Sequence, residues 1–154
     1  MPAAQNLIEL LRAKNLTCAT AESCTGGGVG TAITAVPGAS DVFLGGIISY
    51  ANCIKQKVLG VSEATLRTKG AVSSECAAQM AEGARRLTGA DLAVSVTGIA
   101  GPKGGSDEKP VGLVWFGIAS QAGVRTEKVL FPGDRAKVRE QAVIHALGML
   151  TGAA

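Results

Sequence analysis

Two hydrophobic periods alternate along this chain, and the alternation restricts the fold more than any other feature. Leu7, Leu10, Leu11 and Lys14 recur at helical spacing, so residues 3–14 are expected to form an amphipathic helix. Leu16 to Thr20 is short and largely apolar, and reads as a strand. The polar stretch Ala21-Glu22-Ser23-Cys24-Thr25-Gly26-Gly27-Gly28 interrupts it. Val29, Ile33 and Val36 then resume helical spacing until Pro37-Gly38 stops them. Leu44 to Ala51 reads as a second strand, and residues 52–59 as a short helix ending at Gly60. Ser62 is placed to cap another short helix, and Ser73 or Ser74 opens a longer one to Thr88, closed by Gly89. Asp91 to Thr97 is a strongly apolar strand, and the glycine- and proline-rich run Gly98 to Pro110 is a loop. Val111 to Ser120 and Val124 to Phe131 read as a hairpin turning at Gln121-Ala122-Gly123, and Asp134 caps a final helix to about Leu150.

Helices alternating with nearly continuous apolar strands imply an α/β sandwich with both sheet faces covered, and the hairpin makes the sheet mixed. A chain of 154 residues is one domain's worth. In such sheets, ligands collect at the carboxyl ends of the strands. Segments 21–28 and 97–106 both lie at such ends, so they are the expected walls of one site.

Composition removes several chemistries. There is one histidine, His145, so a His-rich metal site is excluded and any Ser-His or Cys-His hydrolase would have to use it. It lies deep in the last helix beside the apolar face, where a structural role is expected. Cys18, Cys24, Cys53 and Cys76 form no C-x-x-C pair, which argues against structural zinc. The opening MPAAQNLIELLRAKN has no charged start followed by an apolar block, so a cytoplasmic location with reduced thiols is expected. The most apolar run, Val111 to Ala119, is far shorter than the ~20 residues that span a bilayer, so no membrane partner is expected. A net charge of +3 and only five aromatic residues give poor support for stacking nucleic-acid bases.

Two segments carry the chemistry. Ser23, Cys24 and Thr25 precede a helix opened by glycines, a place suited to a phosphate or to an oxyanion formed in acyl transfer. The plainer reading is that Ser23 or Thr25 merely caps that helix. The segment is neither a P-loop nor a G-x-G-x-x-G fingerprint. Thr97-Gly98-Ile99-Ala100-Gly101-Pro102-Lys103-Gly104-Gly105-Ser106 ends a strand in a hydroxyl and glycines, and reads as a loop that contacts a ligand. Lys55 follows the second strand; partly removed from water it would lose basicity and serve as a general base, with Lys57 an equal candidate by position. A solvated surface lysine is the simpler alternative for either. Cys24 competes with Ser23 as nucleophile. Arg135, Lys137 and Arg139 crowd the start of the last helix, which signals an anionic partner unless they are simply solvated.

The motifs Thr20-Ala21-Glu22-Ser23-Cys24-Thr25-Gly26-Gly27, Tyr50-Ala51-Asn52, Gly70-Ala71-Val72-Ser73, Thr97-Gly98-Ile99-Ala100-Gly101-Pro102 with Gly104-Gly105, Lys109-Pro110-Val111-Gly112 and Gly133-Asp134-Arg135 resemble, in order, the CinA C-terminal domain. That family includes nicotinamide-nucleotide amidases. The resemblance covers nearly the whole of residues 1–154. It implies a three-layer α/β/α sandwich on a mixed, mostly parallel sheet. It also implies hydrolysis of nicotinamide mononucleotide (NMN) to nicotinic acid mononucleotide and ammonia, without metal or cofactor. Ser23 would be the nucleophile and Lys55 its base, with Tyr50 a wall or hydrogen-bond partner beside them. Backbone N–H groups of Cys24, Thr25, Gly26 and Gly27 would receive the oxyanion. Thr97, Gly98, Gly101, Gly104 and Gly105 would line the pocket, and Arg135, with Arg139, would neutralise the nucleotide phosphate. Self-association into a dimer or higher oligomer is a further expectation.

Two departures stand out. Other members often carry polar residues between the Asn and the Lys, where this chain has Cys53 and Ile54. The additional N-terminal domain of many members, linked to pyrophosphatase activity, is expected to be absent from this chain. A non-catalytic nucleotide-binding or regulatory module with the same pocket is the alternative to an amidase.

Overall fold

The structure, a computed structural model, describes residues 1–154. Its elements run α1 (Pro2–Lys14), β1 (Cys18–Glu22), α2 (Gly28–Thr34), β2 (Phe43–Ile48), α3 (Asn52–Leu59), α4 (Glu63–Thr68), α5 (Ser74–Thr88), β3 (Leu92–Gly98), β4 (Leu113–Ser120), β5 (Gly123–Leu130) and α6 (Arg135–Ala153). The strands form one sheet in the order β2-β1-β3-β4-β5. β1 lies parallel to β2 and to β3, and β4 runs antiparallel to both β3 and β5. Four of the five strands therefore point one way, in a mixed α/β sheet of the expected class.

The two faces of the sheet are unlike. Cys18, Leu92, Val94, Val96, Phe116 and Ile118 face α1, α2 and α6 and join a cluster of 24 buried apolar residues. The other face offers Ala19, Ala21 and Ala93 to α3 and α5, in a cluster of nine. Small side chains let α5 sit close there. The Ser95 hydroxyl donates to Ala77 O on α5 at 2.6 Å, and a Cβ on Gly117 would stand 2.5 Å from the same carbonyl. On α5, a Cβ on Gly83 would stand 2.0 Å from Leu59 O. This closeness seats α3 against α5.

Three helix starts are capped by the expected side chains: Ser62 accepts from Thr65 N–H, Ser73 from Cys76 N–H and Asp134 from Lys137 N–H. The first strand is displaced from its expected place. β1 begins at Cys18 and runs on to Glu22, because parallel pairing on both sides fixes that register. A buried polar end is possible only because Glu22 finds partners in α2. β2 likewise stops at Ile48, before Ala51, and the chain turns inward at Ser49.

Glycines at helical positions test the packing. Gly148 on α6 has open space around an added Cβ, so Gly148→Ala gains helix propensity and raises stability by about 1 kcal/mol. Gly83→Ala meets backbone instead, and lowers stability by about 1–3 kcal/mol despite the same propensity gain. Urea unfolding midpoints of the two variants should move in opposite directions.

Candidate active site

Parallel pairing brings the carboxyl ends of β1, β2 and β3 to one edge. Ser23 is the first residue beyond β1, and its N–H donates to Val96 O of β3 at 2.9 Å. Ser49, the first beyond β2, donates its N–H to Glu22 O at 2.8 Å. The last rungs of both ladders thus hold the nucleophile candidate rigidly.

Lys55 comes to this point from the first turn of α3. It is the largest fully buried side chain, at 1% exposure. Its Nζ donates to Ser49 O at 2.8 Å and to Tyr50 O at 2.9 Å, and lies 2.9 Å from Ser23 Oγ. An ammonium has three protons, and here there are three oxygens for them. A neutral amine has two, which the carbonyls take, leaving its lone pair directed at the Ser23 hydroxyl. Burial lowers the Lys55 pKa from the ordinary 10.5, while charge on Cys76 and Cys24 opposes that more weakly. Lys57 is exposed and takes no part. Cys53 is exposed and Ile54 half-buried, and neither lines the cleft.

Cys24 is the weaker nucleophile. Burial raises its thiol pKa to about 11, although its own backbone N–H, Lys55 and Arg139 pull the other way. The lysine amine meets Ser23 and forms no hydrogen bond to Cys24.

A cleft of about 280 Å³ opens above the pair. Its walls include Ser23, Cys24, Tyr50, Lys55, Thr97, Gly98, Gly101, Gly104 and Arg135, as the sequence indicated. Thr97 is buried, and its hydroxyl donates to Ala71 O at 2.9 Å, pinning the 70–73 loop to β3. Arg135 donates to Gly101 O at 2.8 Å and to the Tyr50 hydroxyl at 3.3 Å, so it bridges two walls.

Five expected contacts lie elsewhere. Thr25, Gly26, Gly27, Gly105 and Arg139 do not line the cleft. The Thr25 hydroxyl donates to Glu22 Oε1 at 2.6 Å. Gly26 and Gly27 have φ of 60° and 101°, so they serve the turn. A Cβ on Gly105 would meet Val111 N at 2.7 Å, a packing constraint. Arg139 donates to Cys24 O at 3.1 Å and Thr25 O at 3.3 Å. Nor is the start of α2 an open anion site, or capped by Ser23 or Thr25. The buried Glu22 carboxylate accepts from Val29 N–H at 2.9 Å and Gly30 N–H at 3.0 Å. Gly26 N–H is also taken, by Ser23 O at 3.0 Å. The N–H groups of Cys24, Thr25 and Gly27 donate to no other residue of the protein. The basic run 135–139 is divided the same way: Lys137 pairs with Glu140 at 3.6 Å in solvent, and the two arginines serve the protein. His145 bonds to Glu127 and packs 4.5 Å from the Phe116 ring centroid, away from the cleft.

Residues 1–153 match the family model described as the CinA C-terminal domain. The chain belongs to the CinA C-terminal domain family. A CinA-like protein of Thermotoga maritima is 48% identical over 141 residues, 92% of this chain and 34% of that protein. One from Synechococcus sp. is 60% identical over 117 residues, 76% of this chain and 28% of that protein. The chain thus spans about a third of the length of these curated relatives. Among solved structures, the competence/damage inducible protein CihA of Agrobacterium tumefaciens superposes with a TM-score of 0.96 at 42% identity, covering 98% of this chain and 93% of that one. A CinA superfamily protein of Escherichia coli gives 0.95 at 36% identity, covering 99% of this chain and 88% of that one.

Two polar cleft residues of this CinA domain, Asn52 and Lys103, lie in segments the sequence singles out but receive no individual role there. Asn52 lies three residues before Lys55 on α3, a helical spacing that shares a face. Lys103 is the one cation in an otherwise small-residue stretch of its loop. Sequence reasoning overlooked Ser49, which meets Glu22 O across 27 residues, and the Glu22 carboxylate, whose partners Thr25, Val29 and Gly30 follow it directly in the turn after β1. No helix of the domain is long and apolar enough to cross a membrane, and no three His, Cys, Asp or Glu side chains come together.

Glu22→Gln tests the anchoring of α2. Its amide oxygen can replace Oε1, but its NH₂ then faces the Gly30 N–H, donor against donor. The variant should lose about 1–3 kcal/mol of stability, read by chemical denaturation.

Proposed function

We propose that this domain is a nicotinamide-nucleotide amidase that hydrolyses NMN to nicotinic acid mononucleotide and ammonia through an acyl-enzyme. The observation that carries the reading is the buried Lys55 Nζ, 2.9 Å from Ser23 Oγ and otherwise satisfied by two carbonyls. Family membership supports it, as does the absence of histidine from the cleft. NMN suits the cleft in charge: Arg135 and Lys103 on its walls would face the phosphate. The small pyridine carboxamide would reach down to Ser23.

The chemistry follows from the lysine's environment. Neutral Lys55 takes the Ser23 proton as Ser23 Oγ bonds to the carboxamide carbon. The carbonyl oxygen becomes an oxyanion, for which the unpartnered N–H groups of Cys24 and Thr25 are donors. Lys55 returns its proton to the leaving nitrogen, the C–N bond breaks and ammonia departs. Water then attacks the Ser23 ester, losing a proton to Lys55, and the acid leaves as Ser23 recovers its hydrogen. The product would re-enter the cell's dinucleotide cofactor cycle as the acid form.

Ammonia release from NMN is the test. Wild type should release it, and Ser23→Ala should fall to background. Lys55→Met, which keeps the buried stem, should lose on the order of 10²–10⁴-fold in kcat/KM. The active form is the neutral amine, so wild-type kcat/KM should rise with pH and level off below 10.5, as the lowered Lys55 pKa requires. Saturable NMN binding without ammonia would instead establish a non-catalytic module, and equal release by Ser23→Ala would overturn the mechanism.

A further inference from the structure

We propose that Arg139 is a positioning residue for the reaction, which orients and polarises the oxyanion-binding peptides from behind, rather than a ligand of the substrate phosphate. The inference rests on the amidase reading and deepens it. Arg139 lies on the first turns of α6 and reaches the loop that follows β1. Its guanidinium forks over two successive carbonyls, with Nε to Cys24 O at 3.1 Å and Nη2 to Thr25 O at 3.3 Å. A Cβ on Gly26 would stand 3.3 Å from Nη2, so the glycine there leaves room for the fork.

Two hydrogen-bond relays begin at this cation. In a trans peptide the C=O and N–H point in opposite directions. The first relay is one peptide long. Arg139 holds Cys24 O, and the other end of that peptide is the Thr25 N–H, which has no acceptor in the protein. The second is two peptides long. Arg139 holds Thr25 O, whose peptide ends in Gly26 N–H; that donates to Ser23 O at 3.0 Å, whose peptide ends in Cys24 N–H. Cys24 N–H also donates to no other residue. Both free donors beside the nucleophile thus terminate chains that start on Arg139. Hydrogen-bonded groups in a chain polarise one another, so a cation at the head makes each terminal N–H a better donor. The same bonds fix the two peptide planes before substrate arrives, which is where oxyanion stabilisation has its value. A lysine would keep the charge but, with one nitrogen, would not span both carbonyls as the planar fork does.

The test measures two reactions on wild type, Arg139→Lys and Arg139→Gln. The first is NMN turnover. The second is the rate at which a fluorophosphonate probe labels Ser23, which needs the activated hydroxyl and the oxyanion donors but no nucleotide. The expected result is a fall in kcat on the order of 10–100-fold for Arg139→Gln, with KM changed less than about threefold, and an intermediate value for Arg139→Lys. Labelling should slow in parallel, and the pH midpoint of kcat/KM should not move. Added guanidinium should partly restore Arg139→Gln. Circular dichroism checks that the variants are folded, and Arg139→Lys, the milder change, carries the comparison if the Gln variant is not. A raised KM with unchanged kcat and unchanged labelling would overturn the proposal and return Arg139 to the phosphate. Labelling that depends on Arg139 in a protein that releases no ammonia from NMN would uphold it while rejecting the NMN reading. No labelling of wild-type Ser23 would remove both.

Discussion

Lys55 is buried with three oxygens around its nitrogen, and the neighbouring fold is arranged to keep it there. A long cationic side chain resists burial, since removing a charge from water costs far more than its apolar stem returns. Here two backbone carbonyls and one hydroxyl take up every donor. The carbonyls belong to Ser49 and Tyr50, where the chain leaves β2, so the lysine's partners are set by the end of a sheet ladder. The helix that carries it sits on the small-residue face of the sheet. Bulkier residues at Ala19, Ala21 or Gly83 would hold α3 and α5 away and carry the amine off the hydroxyl.

Charge in this region is organised in two layers. Glu22 lies beneath the loop 23–28 and takes the N–H groups of α2, together with the Thr25 hydroxyl. Arg139 lies behind the same loop and takes two of its carbonyls. The anion and the cation hold opposite polar edges of one turn. What remains free includes the pair of N–H groups beside Ser23, those of Cys24 and Thr25, along with that of Gly27. Specificity for an amide would thus arise from what the scaffold has already satisfied, as well as from what it leaves open.

Much of this was legible in the sequence. Alternating periods gave the layers, and Ser62, Ser73 and Asp134 marked helix starts through short-range capping. Ser23, Lys55, Tyr50, Thr97 and Arg135 follow from motif order, and all five line the cleft. Glycines at 26 and 27 suggest a ligand, yet their positive φ answers to the turn. In sequence the start of α2 looks open because Glu22 reads as part of the polar loop, whereas it ends β1 and serves as the acceptor. Arg139 looked free because its partners lie more than a hundred residues away. Local pattern reports the elements; which polar groups are already paired is decided by tertiary contacts for Ser49 and Arg139, whereas Glu22 meets its partners Thr25, Val29 and Gly30 in the turn directly after β1.

The proposed reaction requires Lys55 to be neutral enough at working pH to take a proton from Ser23. Its side-chain nitrogen can be followed directly by NMR titration of protein carrying ¹⁵N-lysine, with Lys55→Met assigning the signal. The Lys55 midpoint should lie clearly below the 10.5 of an ordinary lysine. A Lys55 midpoint at 10.5 or above would overturn its role as the base.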